Sequence, residues 1–155
     1  MGLKKGILVV ADTVSVDDPY DPGDENIIIL SNDGDFEIVA TVDVCVKDPQ
    51  KTQVCIDSMA QIAICNDDGP PSVTFEVTYE LLRNGTTIAT ISDEMDYARA
   101  GADGRHTNFP NFPLVDNNPC AGINTYELRI TRVSTNAEGD IFVASRSLKA
   151  TVFTV

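Results

Sequence analysis

The segment VTFEVTYELLRNGTTIATI, residues 73–91, leaves the chain few choices. Its apolar residues recur at every second position, Val73, Phe75, Val77, Tyr79 and Leu81, which places them on one face of an extended strand. The alternation stops at Asn84-Gly85. A two-residue type I′ turn needs positive φ at both central positions, and Asn-Gly tolerates that best. A hairpin follows, with Leu81 expected opposite Ile88. The glycosylation-like string Asn84–Thr86 is accounted for by this turn. NTYELRITRV repeats the alternation through Tyr126, Leu128 and Ile130, and shares the string TYEL with residues 78–81. Further β-type runs lie near 6–11, 26–31, 36–46, 53–65, 86–92, 109–115 and 141–154, separated by Gly, Pro, Asn and Asp. No window of helical length carries apolar spacing of three and four. Residues 93–106 are expected to form an irregular loop or a short helical turn. Eight or nine antiparallel strands in 155 residues point to an all-β fold, a β-sandwich of jelly-roll type with about eight strands and an extended N-terminal strand. An immunoglobulin-like sandwich is the alternative, but its core tryptophan is missing, since the chain has no Trp. The expected division is an N-terminal strand with an acidic linker, residues 1–25, and one sandwich domain, residues 26–155.

The stretch CVKDPQKTQVC, residues 45–55, joins two apolar runs. In FEIVATVDVCV, Phe36, Ile38, Ala40, Val42, Val44 and Val46 share a face. In VCIDSMAQIAIC, Val54, Ile56, Ala60, Ile62 and Ile64 do the same. Folding the chain about position 50 matches the two sets, Val44 facing Ile56 and Ala40 facing Ala60, and a one-residue slip would undo the match. This hairpin places Cys45 opposite Cys55 on the outer face, within reach of a disulfide. The remaining Cys65 and Cys120 are the simplest complement. Four reduced thiols, or bridges between subunits, remain open. The chain has no Cys-x-x-Cys pair and a single histidine, which weakens redox and zinc readings. His106 is read as a solvated loop residue, and no catalytic residue is assigned. Phe109 and Phe112, in NFPNFP, are read as packing inward from a proline-edged strand, with a sugar platform as the sharper alternative.

The net charge is −13. Nucleic acid and anionic membranes both need basic patches, so neither is an expected partner. No stretch approaches the ~20 apolar residues of a membrane span. The apolar run GILVVA is too short for the core of a signal peptide and leads straight into Asp12. The cluster Asp17, Asp18, Asp21, Asp24 and Glu25 offers oxygen ligands that suit calcium, but its two prolines and wrong spacing favour an exposed linker. No cofactor is expected. A strand on such a linker can reach a neighbour and extend that neighbour's sheet. Leu3, Ile7, Leu8, Val9, Val10, Val14 and Val16 are the candidate contact residues.

The order of motifs in the second half carries a family resemblance. It runs from FEVTYELLRNGTTIATI through TNFPNFPLVDNNPCAGINTYELRITRV to SRSLKATVFTV. Over roughly residues 72–155 it resembles the small jelly-roll proteins of spore-forming bacteria, namely tumour-necrosis-factor-like exosporium domains and endospore appendage subunits. The shared features are the hairpin Tyr79–Ile88, the turn and strand Asp116–Arg129, and the closing strand around Ser147–Ala150. The resemblance implies a non-enzymatic subunit that self-assembles into a spore-surface or extracellular fibre, released without a secretion signal. Its partner is then itself, as a homopolymer or a homotrimer. Appendage subunits carry a cysteine-bearing N-terminal connector, whereas here the first 44 residues have no cysteine. The alternative is a closed trimeric jelly roll that recognises a glycan or a receptor.

Overall fold

In the computed structural model, residues 7–66, 72–98, 104–135 and 139–154 are described. Ten strands carry them: β1 (Leu8–Val14), β2 (Ile28–Leu30), β3 (Phe36–Val46), β4 (Thr52–Asn66), β5 (Ser72–Arg83), β6 (Thr86–Ala98), β7 (Gly104–Asn108), β8 (Leu114–Asp116), β9 (Gly122–Thr135) and β10 (Ile141–Thr154). One sheet has the order β1-β10-β4-β7, with β2 beside β10 and β8 beside β4; the other has the order β3-β9-β5-β6. Every pairing is antiparallel. The chain is a jelly-roll β-sandwich, as the alternation pattern implies.

The alternation sorts residues into core and surface. Val42, Val44 and Val46 of β3, Val54, Ile56, Ala60, Ile62 and Ile64 of β4, and Phe75, Val77, Tyr79 and Leu81 of β5 are all buried in one cluster with Tyr126, Leu128 and Ile130 of β9. Each buried Val, Leu, Ile or Phe side chain among them contributes roughly 1.5–3 kcal/mol by leaving water. The Asn84-Gly85 turn forms with φ of 51° and 78°. A bulge between Leu81 and Leu82 moves the register, so Leu81 lies opposite Ala89 and not Ile88. Leu82 is buried as well, at 3% exposure.

The expected β3–β4 hairpin does not form. β3 pairs with β9, and β4 pairs with β10, in different sheets. A short 3-10 turn at Pro49–Lys51 carries the chain from one sheet to the other. The two apolar faces do meet, but across the core and not side by side. Phe36 and Ile38 leave the core face, at 59% and 37% exposure, because a bulge between Ile38 and Ala40 buries Val39 in their place. Residues 93–106 also depart from expectation. β6 continues to Ala98, and β7 begins at Gly104, while residues 99–103 lie outside the described residues.

Ile141, Phe142, Val143 and Ala144 of β10 are buried in succession, which alternation alone does not permit. The cause is a second layer. Val16 and Ile27, on either side of the acidic segment, pack with Ala63, Phe142 and Ala144, and Tyr20 rests against them. The segment between β1 and β2 is therefore a packed cover on the outer face of a sheet, and β1 is part of the sandwich.

Candidate assembly surface

β1 occupies the end of its sheet and pairs with β10 of its own chain, Leu8 opposite Val152 and Val14 opposite Arg146. This corrects the expectation of a tethered arm reaching a neighbour: the strand fills an edge within its own fold. Val10 packs against the main core, Val14 against the smaller cluster, and Val16 is buried. These three are committed inward and are not free for a neighbour. Leu3 lies outside the described residues. Ile7, Leu8 and Val9 remain on the surface at 63%, 49% and 53% exposure. Leu8 also borders a groove of about 260 Å³ with Cys45, Val46 and Val152.

The acidic segment is a staircase of turns. Asp18 Oδ1 accepts the Tyr20 amide, Asp21 Oδ1 the Gly23 amide, and Asp24 Oδ1 the Asn26 amide. Three of the five carboxylates are thereby drawn to their own backbone. Among the described residues, no three acidic, His or Cys side chains gather as a metal site. The cluster Asp17, Asp18, Asp21, Asp24 and Glu25 therefore does not converge on a calcium ion. The segment is docked as well: the Tyr20 hydroxyl meets Thr107 Oγ1 at 2.6 Å, and the Arg105 guanidinium lies 4.9 Å from the Tyr20 ring centre.

The cysteines do not pair as expected. Cys45 stands opposite Ile123 on the outside of one sheet, and Cys55 lies between Thr151 and Val115 in the other. Two sheets about 10 Å apart separate them, beyond the reach of a disulfide. Cys45, Cys55 and Cys120 are free thiols, so the Cys65–Cys120 complement is not formed either. The Cys65 side chain lies outside the described residues. Cys120 sits in the β8–β9 turn, where Asn124 accepts its amide through Oδ1 and donates to its carbonyl through Nδ2.

His106 is on strand β7, half-buried, and not in a solvated loop. Its Nε2 donates to Asn108 Oδ1 at 3.3 Å, and Asn108 Nδ2 donates to Asp93 Oδ1 at 2.7 Å. The amide can bridge only in this sense, since the carboxylate accepts and never donates. The chain of bonds clasps β7 of one sheet to β6 of the other. Phe112 packs against the core, whereas Phe109 is exposed at 57%. One of the two phenylalanines thus points inward as expected.

Sequence reasoning missed the buried polar clamps at Arg83 and Arg146, and also Arg132, which donates to Asp33 Oδ1 at 3.0 Å and to the Leu30 and Gly139 carbonyls. In the first, Arg83 Nη1 donates to both Asp116 oxygens at 2.9 and 2.7 Å and to the Asn118 carbonyl, while the Tyr126 hydroxyl donates to Asp116 Oδ2 at 2.8 Å. Burial alone would raise the Asp116 pKa. The hydrogen bonds from Arg83 and Tyr126 outweigh it and hold the carboxyl below its ordinary value. Burial and the same carboxylate push the Tyr126 phenol up. In the second clamp, Arg146 donates to the carbonyls of Val39, Asn26 and Ala144 at 2.8, 2.6 and 2.9 Å. Bulges make this possible. One frees Val39 from the β3 ladder, and another between Val143 and Arg146 turns the arginine inward. Burial lowers the Arg146 pKa, against the attraction of Asp12. A Tyr or Asp at the end of an alternating strand was the available signal for the first clamp; no local signal marks the second.

No protein-family model matches the chain, and no curated relative does. Solved structures do. The chain is similar to the VP2 subviral particle of infectious bursal disease virus, at 16% identity and a TM-score of 0.50, over 96% of this chain and 33% of that one. It is similar to T=1 particles derived from the same virus, at 14% identity and a TM-score of 0.51, over 96% and 32%. The Gx strain structure gives 15%, 0.51, 96% and 32%. The chain spans about a third of the length of these proteins. Similarity at this level establishes the sandwich fold alone.

Proposed function

We propose that the chain is a non-enzymatic structural subunit that assembles with copies of itself, as part of a spore-surface or extracellular fibre. The observation that carries this reading is the open edge at β1, where Ile7, Leu8 and Val9 stand in solvent. An edge strand with unpaired amides and exposed apolar side chains is a template for another chain. The motif resemblance to appendage and exosporium subunits supports the setting. The net charge of −13 opposes association of like copies at low salt. Assembly is therefore expected to rise with ionic strength as that repulsion is screened. Sedimentation velocity across protein and salt concentration, with negative-stain imaging of the fastest species, tests the reading. Salt-promoted oligomers or filaments support it. A monomer throughout overturns it, and a discrete, salt-independent trimer favours a closed binding module in its place.

A further inference from the structure

The sandwich has several edges, and charge distinguishes them. β6 carries Asp93, Glu94 and Asp96 along its length. β2 and β8 are each three residues long. β7 is overlaid by Tyr20, which contacts Arg105 and Thr107. On β3, the Thr41 amide is already taken by Asp12 Oδ2 at 2.9 Å. Each of these is a device that keeps an edge from pairing. β1 lacks them. Ile7, Leu8, Val9, Val10 and Ala11 form five uncharged positions in a row, and the charge that follows them, Asp12, is turned toward β3. Among the described residues, no strand pairs with the outer edge of β1.

We infer that β1 is the contact strand, and that its occupant is β1 of a second copy, paired antiparallel about a two-fold axis centred on Val9. This rests on the self-assembly reading and names its interface. Electrostatics selects the register. Centring on Val9 sets Leu8 against Val10 and leaves the two Asp12 carboxylates about six positions apart, roughly 20 Å at ~3.4 Å per residue. That exceeds the Debye length of about 8 Å in physiological salt. Centring on Ala11 brings them to about two positions, roughly 7 Å, inside that length. Alternation sends Val9 and Ala11 outward, so the joined sheet presents a continuous apolar strip on its outer face. A two-fold contact of this kind is self-complementary and closes on two copies. A fibre then grows by alternating the β1 contact with a second, different one.

The experiment combines Val9→Cys and Val9→Lys in the full chain. In a centred antiparallel pair the two Val9 Cα atoms are ~4.5–5.5 Å apart, within disulfide range. Under mild oxidation, Val9→Cys is expected to give a covalent dimer whose linked peptide, identified by mass spectrometry, joins position 9 to position 9. Val9→Lys is expected to weaken association on the order of tenfold or more, with an unchanged circular dichroism spectrum. Persistent assembly of Val9→Lys, with no position-9 to position-9 peptide from Val9→Cys, overturns the β1 interface while leaving self-assembly standing. A wild-type chain that never associates overturns both.

Discussion

Arg83 and Arg146 are both drawn into the sandwich, and they are neutralised differently. Arg83 meets a full carboxylate, Asp116, and shares it with Tyr126. Arg146 meets three backbone carbonyls, and its side chain is 9% exposed as a residue. The first clamp joins β5, β8 and β9 by charge. The second joins the cover segment, β3 and β10 by saturating carbonyls, those of Val39 and Ala144 at bulges and that of Asn26 in the cover segment. A carboxylate can be protonated and a carbonyl cannot, so the two clamps should part company under acid.

Each clamp can be removed by a single substitution. Arg146→Ala is expected to have the largest effect, about 4 kcal/mol, because it leaves a cavity and three unpaired carbonyls. A urea denaturation midpoint measures it, and a loss below about 1 kcal/mol would mean that water replaces the guanidinium. Asp116→Ala should cost about 3 kcal/mol, at the low end for a broken buried pair, since Arg83 is 23% exposed and can regain water. The same midpoint assay ranks the two.

Acid sharpens the contrast. The folded Asp116 pKa lies below the unfolded value of about 3.9. Its stabilisation is complete above that unfolded value and disappears as pH falls through the folded one. Stability followed from pH 6 to pH 2 should therefore drop more in the wild type than in Asp116→Asn. Arg146→Met should keep the wild-type slope, because an arginine does not titrate there. Parallel curves for all three would show that Asp116 is not the acid-sensitive group. The smallest change is Tyr126→Phe, about 1 kcal/mol for the lost hydrogen bond. It should add to Arg146→Ala within about 0.5 kcal/mol and fall short of additivity with Asp116→Ala, since those residues share a bond.

Period-two alternation was enough to read the sandwich, its core residues and the Asn84-Gly85 turn, because each is a local property of a strand or a turn. Partner choice was not local. The apolar faces of β3 and β4 match whether they lie side by side or across a core, and only the positions of β9 and β10 decide between the two. The Cys45–Cys55 pairing failed with that hairpin. Register failed at Leu81 and at Val39 for a related reason: a bulge adds one residue without leaving a distinct composition. At the candidate surface, Ile7, Leu8 and Val9 were legible as a short apolar run. Val10, Val14 and Val16 were equally apolar, and their burial depends on β10 and on the cover segment. Arg146 illustrates the limit, since its acceptors at Asn26 and Val39 lie far from it along the chain.

β10 lies between β1 and β4 and also pairs with β2. Three strands from the first 66 residues thus wait for a partner that emerges from the ribosome after all of them. β5 and β6 can close as a hairpin while synthesis continues, but the sheet containing β1 cannot. The nascent chain carries the apolar run at Leu8–Val10 without its native partner until residues 141–154 are released, which exposes it to other nascent copies during translation.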